Sequence, residues 1–118
     1  SSGPDPLCHP STSEAAGVNK AQEEITHTDH FACADAVDVP LLLRVSRATL
    51  LDRVRLCGAD TLLDERWICR IRGPKHGTYR VHIEYAAHPA RTGCPDPGRP
   101  VALNKARGVP GLMTILER

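Results

Sequence analysis

Two stretches of strict alternation constrain this chain more than anything else in it. In Arg66 to Arg72, Trp67, Cys69 and Ile71 alternate with Arg66, Ile68, Arg70 and Arg72. In Thr78 to Tyr85, Tyr79, Val81, Ile83 and Tyr85 alternate with Thr78, Arg80, His82 and Glu84. Side chains on a strand point to opposite faces in turn, so a period of two means one buried face and one wet face. The five residues Gly73-Pro74-Lys75-His76-Gly77 between them have the chemistry of a turn, and the two runs read as a β-hairpin. Three of the chain's four aromatic residues, Trp67, Tyr79 and Tyr85, fall on its apolar face. That face needs a covering layer.

The best candidate for the cover is residues 47–57. There Leu50, Leu51, Val54 and Cys57 recur at helical spacing, Ser46 stands as the N-cap and Gly58 as the left-handed stop. Val39 to Val45, Leu-rich with Pro40 near its start, reads as a short strand ahead of that helix. Further strands are expected at 100–103 and 111–116, with a turn from Asn104 to Gly108 and a proline-rich loop over 88–100. A helix capped by Asn19 is expected over 19–36, with Ile25 and Phe31 as its large apolar residues, and residues 1–18 read as a flexible lead rich in Ser, Pro, Gly and Ala. The resulting expectation is an α+β fold, one helix packed on a mostly antiparallel sheet. The acidic, partly flexible segment is 1–38 and the folded domain 39–118. At 118 residues, with 26 of them Leu, Ile, Val or Phe, the chain suffices for one small core.

The formal charge of +1 conceals a division of the chain. Residues 1–40 hold seven acids against one base, and residues 41–118 hold fourteen bases against seven acids. A basic body with an acidic tail points to an anionic partner or to contact between the two halves. No apolar run approaches the length of about 20 residues that a membrane helix needs, so no membrane association is expected. The first residues have neither the basic nor the apolar region of a secretory signal, and a signal already removed is compatible with secretion. Five cysteines, Cys8, Cys33, Cys57, Cys69 and Cys94, lie far apart with no Cys-x-x-Cys pair. That spacing excludes zinc ribbons and thioredoxin-type chemistry and suits long-range disulfides in a secreted protein. The connectivity is open, and buried reduced thiols are the plainer alternative.

On the hairpin's wet face, Arg66, Arg70, Arg72 and Arg80 stand in two adjacent rows with His82 and Glu84. A guanidinium is a planar fork matched to phosphate or carboxylate, so this face is a candidate anion site. The plainer alternatives are a solvated face with Glu84 pairing a neighbouring arginine, or the acidic segment lying across it. Arg80, His82 and Glu84 together offer an acid–base trio for a phosphodiester. His27, His30 and Cys33 sit three apart and, with Asp29 or Asp35, form a zinc set if the segment is helical, although an ordinary polar stretch is favoured. Trp67, Tyr79 and Tyr85 are stacking platforms only if exposed, and their period places them in the core. No phosphate loop or nucleotide fingerprint is present, and no cofactor or metal is expected.

Over the C-terminal 70 residues or so, the element order resembles the small secreted fungal guanyl-type ribonucleases, which pack a helix on an antiparallel sheet with catalytic residues on the open face. Glu84-Tyr85 resembles the family's catalytic Glu followed by an aromatic residue. Pro97-Gly98-Arg99-Pro100-Val101-Ala102 resembles the turn and strand that open on its catalytic Arg. Asn104, Gly108 and Leu112 to Leu116 resemble its last turn and strand. The resemblance covers about 60% of the chain. The last strand here reads Met113-Thr114-Ile115-Leu116, without the family's histidine, and Arg70 or Arg72 stands in the region of the other one.

The resemblance therefore implies a secreted, effector-like binding protein, monomeric and lacking the full catalytic set. Its partner would be RNA or an acidic protein surface, held by Arg66, Arg70, Arg72, Arg80 and Arg99. Two alternatives stand beside it. One is an active ribonuclease using Glu84, with His82 or His76 as the acid and Arg99 in support. The other is an immunoglobulin- or filamin-like interaction module, which Gly77-Thr78-Tyr79-Arg80-Val81 resembles and which the helix near 46–58 argues against.

Overall fold

The computed structural model describes residues 1–3, 24–91, 93 and 96–118. Four strands, β1 (Ile25–Ala34), β2 (Thr61–Lys75), β3 (Thr78–Ala90) and β4 (Thr114–Glu117), and one helix, α1 (Val39–Arg55), make up the fold. The strands form one antiparallel sheet in the order β2-β3-β1-β4. Both β1 and β2 run antiparallel to β3, which lies between them, so α1 connects two parallel strands that are not neighbours. The α+β expectation holds, with one helix packed against an antiparallel sheet.

The helix starts earlier than the sequence pattern suggests. The expected strand at 39–45 is its first two turns. Asp38 is the N-cap, its Oδ1 accepting the Leu41 N–H at 3.2 Å, and Pro40 sits in the first turn where a missing N–H costs nothing. Val39, Leu42, Leu43, Ser46, Arg47, Leu50, Leu51 and Val54 then form one buried stripe. Ser46, expected as the cap, lies buried mid-helix. Gly58 ends the element as expected, with φ of 92° and its N–H on Arg55 O at 3.1 Å.

The described part of the expected helix at 19–36 is strand β1. It pairs along its full length with β3, so the folded body begins at least by Ile25 rather than at Val39. Residues 4–23, including most of the expected flexible lead, lie outside the described residues.

The hairpin stands as read, but with a tighter link. Lys75 pairs with Thr78, leaving His76 and Gly77, both with positive φ (54° and 75°), as a two-residue turn. The expected strand at 100–103 is absent. A 3-10 turn at Leu103–Lys105 follows Ala102, and the last strand is shorter than expected, at Thr114–Glu117. An isolated bridge between Val37 and Val109 returns the chain to the sheet. It needs Gly108, since a Cβ there would lie 2.1 Å from Val37 O.

The core lies between α1 and the face of the sheet that carries Phe31, Cys33, Trp67, Val81, Ile83 and Tyr85. Trp67 Nε1 donates to Val101 O at 2.8 Å, which pins the loop after β3 beneath that face. Among the described residues, no helix lies over the opposite face of the sheet.

Candidate anion site on the open face

Register decides what the open face displays. Arg72 stands directly opposite Arg80, Arg70 opposite His82, and Ile68 opposite Glu84. Across β3 from β1, His30 stands opposite His82, Ala32 opposite Arg80 and Thr28 opposite Glu84. The small residue Ala32, opposite Arg80, leaves room between the hairpin and β4. The result is a groove of about 640 Å³ lined by His30, Ala32, Arg70, Arg72, Arg80 and His82, with Glu117 and Arg118 at its β4 end.

Arg70, Arg72 and Arg80 are exposed. Among the described residues, none of the three has a carboxylate within ion-pair distance. Like charges directly opposite each other on adjacent strands repel, so the Arg72–Arg80 pair is a local cost unless an anion sits between them. Arg66 differs from these three. It pairs with Glu24, and it belongs to a second depression, of about 720 Å³, bounded by Ser1, Gly3, Thr26, Trp67, Ile68, Glu84 and Ala86. Ser2 N–H donates to Trp67 O at 2.9 Å, and Trp67 N–H donates back to Ser2 Oγ at 2.8 Å, so the described N-terminal residues lie along the edge of β2.

Glu84 does not pair with an arginine. His82 Nε2 lies 3.1 Å from Glu84 Oε1, and His82 Nδ1 lies 3.3 Å from His30 Nδ1, with the two rings tilted at 59°. Glu84, His82 and His30 thus form a continuous hydrogen-bonded row that runs from β3 to β1 beside the arginines. The sequence singled out His82 and Glu84. It placed His30 on a helix and so missed it as a neighbour, which only the pairing of β1 with β3 reveals.

Arg99 is not part of this face. Its loop is held on the covered side through Asp96, which accepts from Arg47 and Thr61, and through Val101, which receives the Trp67 indole. The trio Glu84, His82 and Arg99 is therefore not brought together. The residues weighed as a zinc set, His27, His30 and Cys33, are also divided. His27 and Cys33 lie on the covered face of β1 and His30 on the open one, and no cluster of metal-binding side chains occurs among the described residues. Trp67 and Tyr85 are buried and Tyr79 packs against the core, so the open face has no Phe, Tyr or Trp for base stacking.

Cys33, Cys57 and Cys69 are free thiols, with Cys33 and Cys69 separated by β3. Cys8 and Cys94 lie outside the described residues. No described helix is long and apolar enough to cross a membrane. No family model, curated protein or solved structure matches the chain.

Proposed function

We propose that this protein binds RNA through its phosphates, on the groove formed by Arg70, Arg72 and Arg80. The observation behind this is the Arg72–Arg80 cross-strand pair, exposed and, among the described residues, without a carboxylate partner. A phosphodiester between the two forks turns a repulsion into two charge-assisted hydrogen bonds. With no Phe, Tyr or Trp on the open face, recognition falls on the backbone rather than the bases, and sequence preference is weak. A secreted, effector-like setting belongs to the same proposal and rests on the wide cysteine spacing.

The test is a salt titration of affinity for a fluorescently labelled oligouridylate. Three phosphate contacts to single-stranded RNA give a slope of log K against log salt of about −2. Affinity that is undetectable at low salt, or indifferent to salt, refutes the reading.

The 3.1 Å contact between His82 and Glu84 favours one second reading, cleavage of the bound RNA with these two as acid–base groups. RNA left intact, or cut equally well by Glu84→Gln, removes it.

A further inference from the structure

We propose that His30 is a proton-coupled member of the anion site, so that the groove holds a phosphate chain more tightly as pH falls. The inference rests on the phosphate-binding reading above and deepens it.

The row Glu84–His82–His30 fixes where protons reside. An ionised carboxylate only accepts, so the 3.1 Å contact places a hydrogen on His82 Nε2. A neutral His82 then has its lone pair on Nδ1. The 3.3 Å contact between the two Nδ1 atoms is satisfied only if His30 donates from its own Nδ1. That leaves His30 Nε2 with a lone pair on an exposed ring, beside the groove that His30 itself lines. The carboxylate thus sets the tautomer of a ring it does not touch, as second partners do for ligating histidines.

One proton added to this row makes a cation next to Arg70, Arg72 and Arg80. A second is opposed, because two N–H groups would then face each other across 3.3 Å. The row is therefore a one-proton device. The charged and titratable groups facing it are Arg70 and Arg72 from β2, Arg80 and Glu84 from β3, and Glu117 at the β4 end, while the Arg118 guanidinium turns away to Asp29 and Thr49. A phosphate chain in the groove brings negative charge beside these rings and favours the added proton. Proton uptake and anion binding are then linked, each strengthening the other by the same factor.

The experiment measures oligouridylate affinity at fixed ionic strength from about pH 8 to about pH 5, the range in which histidine changes charge. Uracil and the phosphodiester keep their charge over this range, so the protein alone titrates. Affinity is expected to rise roughly fivefold toward the acid end. In the double variant His30→Gln/His82→Gln, whatever its affinity near pH 8, the ratio of affinities between the two ends of the pH range is expected to fall to about one. His76→Gln, in the hairpin turn, retains the rise. A wild-type protein that binds RNA with the expected salt slope but no pH dependence overturns this inference and leaves the phosphate-binding reading standing. So does a double variant that keeps the rise. No binding at any pH overturns both.

Discussion

Arg47 Nε donates to Glu65 Oε1 across 2.6 Å, with the two side chains only 2% and 0% exposed. The same guanidinium donates to both oxygens of Asp96, at 2.7 and 2.9 Å, and Tyr85 OH donates to Glu65 Oε1 at 2.7 Å. Helix, sheet and the loop after β3 therefore meet at one fully buried cation. Burial opposes its charge, but its hydrogen bonds to Asp96 and Glu65 outweigh that and hold the guanidinium protonated. Removing one partner of such a cluster strands the others without water. Arg47→Ala is expected to cost about 3–5 kcal/mol, measured as the shift in denaturant midpoint at constant slope. Arg47→Lys is expected to lose much of that stability too, since an ammonium cannot reproduce the fork between two carboxylates.

The two aspartates in these networks make stability fall in acid. Burial alone would raise the Asp96 carboxyl, but Arg47, Thr61 and the Gly98 N–H bring it below the usual range. Asp29 is lowered in the same way, with burial outweighed by Arg118, Ser46 and His27. A folded pKa below the unfolded one gives stability that is complete above the unfolded value of about 3.9 and is lost as pH falls through the folded one. The denaturation midpoint is therefore expected to be level from neutral down to about pH 5 as far as these groups act, and to drop below about pH 4. Asp96→Asn should start lower and fall less steeply over the acid range.

Asp29 also explains why β1 was hidden in the sequence. Its inward row reads Ile25, His27, Asp29, Phe31, Cys33, a polar pair in the middle of an apolar face. Asp29 is tolerated there because Ser46 donates to it at 2.7 Å and Arg118 at 3.3 Å, partners 17 and 89 residues away. No local pattern could announce them. The hairpin was legible because its inward residues are apolar and adjacent in sequence. At Val39–Val45 the signal was local and was misread. Asp38 as cap and Pro40 in the first turn mark a helix start, but the β-branched and leucine-rich composition suggested a strand. The arginine face could be placed because it needs only strand parity. His30 could not, because its place depends on the pairing of β1 with β3.

Thiol reactivity should follow the fold. Burial pushes the Cys69 thiol up to about 11, a trend the N-terminal ammonium opposes and Cys33 reinforces, and burial also raises Cys33. Cys57 is exposed just past the end of α1. The thiolate is the reacting species, so alkylation of the native protein near pH 8, followed by peptide mass mapping, is expected to label Cys57 well before Cys69. Cys33 should react only as the protein unfolds. Equal rates at Cys57 and Cys33 would mean that the sheet does not protect Cys33.

Two sets of substitutions on the open face should move RNA affinity in opposite directions. Replacing Arg70, Arg72 and Arg80 together by Ala removes three groove guanidiniums that have no carboxylate partner among the described residues. The salt slope is then expected to fall by about two, taking each lost phosphate contact at about 0.7 for a single strand. The side chains are exposed, so the thermal midpoint should stay level or rise, because the Arg72–Arg80 repulsion is relieved. Glu84→Gln keeps an oxygen that can accept from His82 Nε2 but deletes a negative charge 44% exposed at the edge of the site. Affinity near neutral pH is expected to increase by about twofold to threefold, an effect that shrinks as added salt screens the exposed charge. If Glu84→Gln instead weakens binding, the carboxylate serves the ligand directly. The row it forms with His82 and His30 would then be part of the contact surface and not only a support for it.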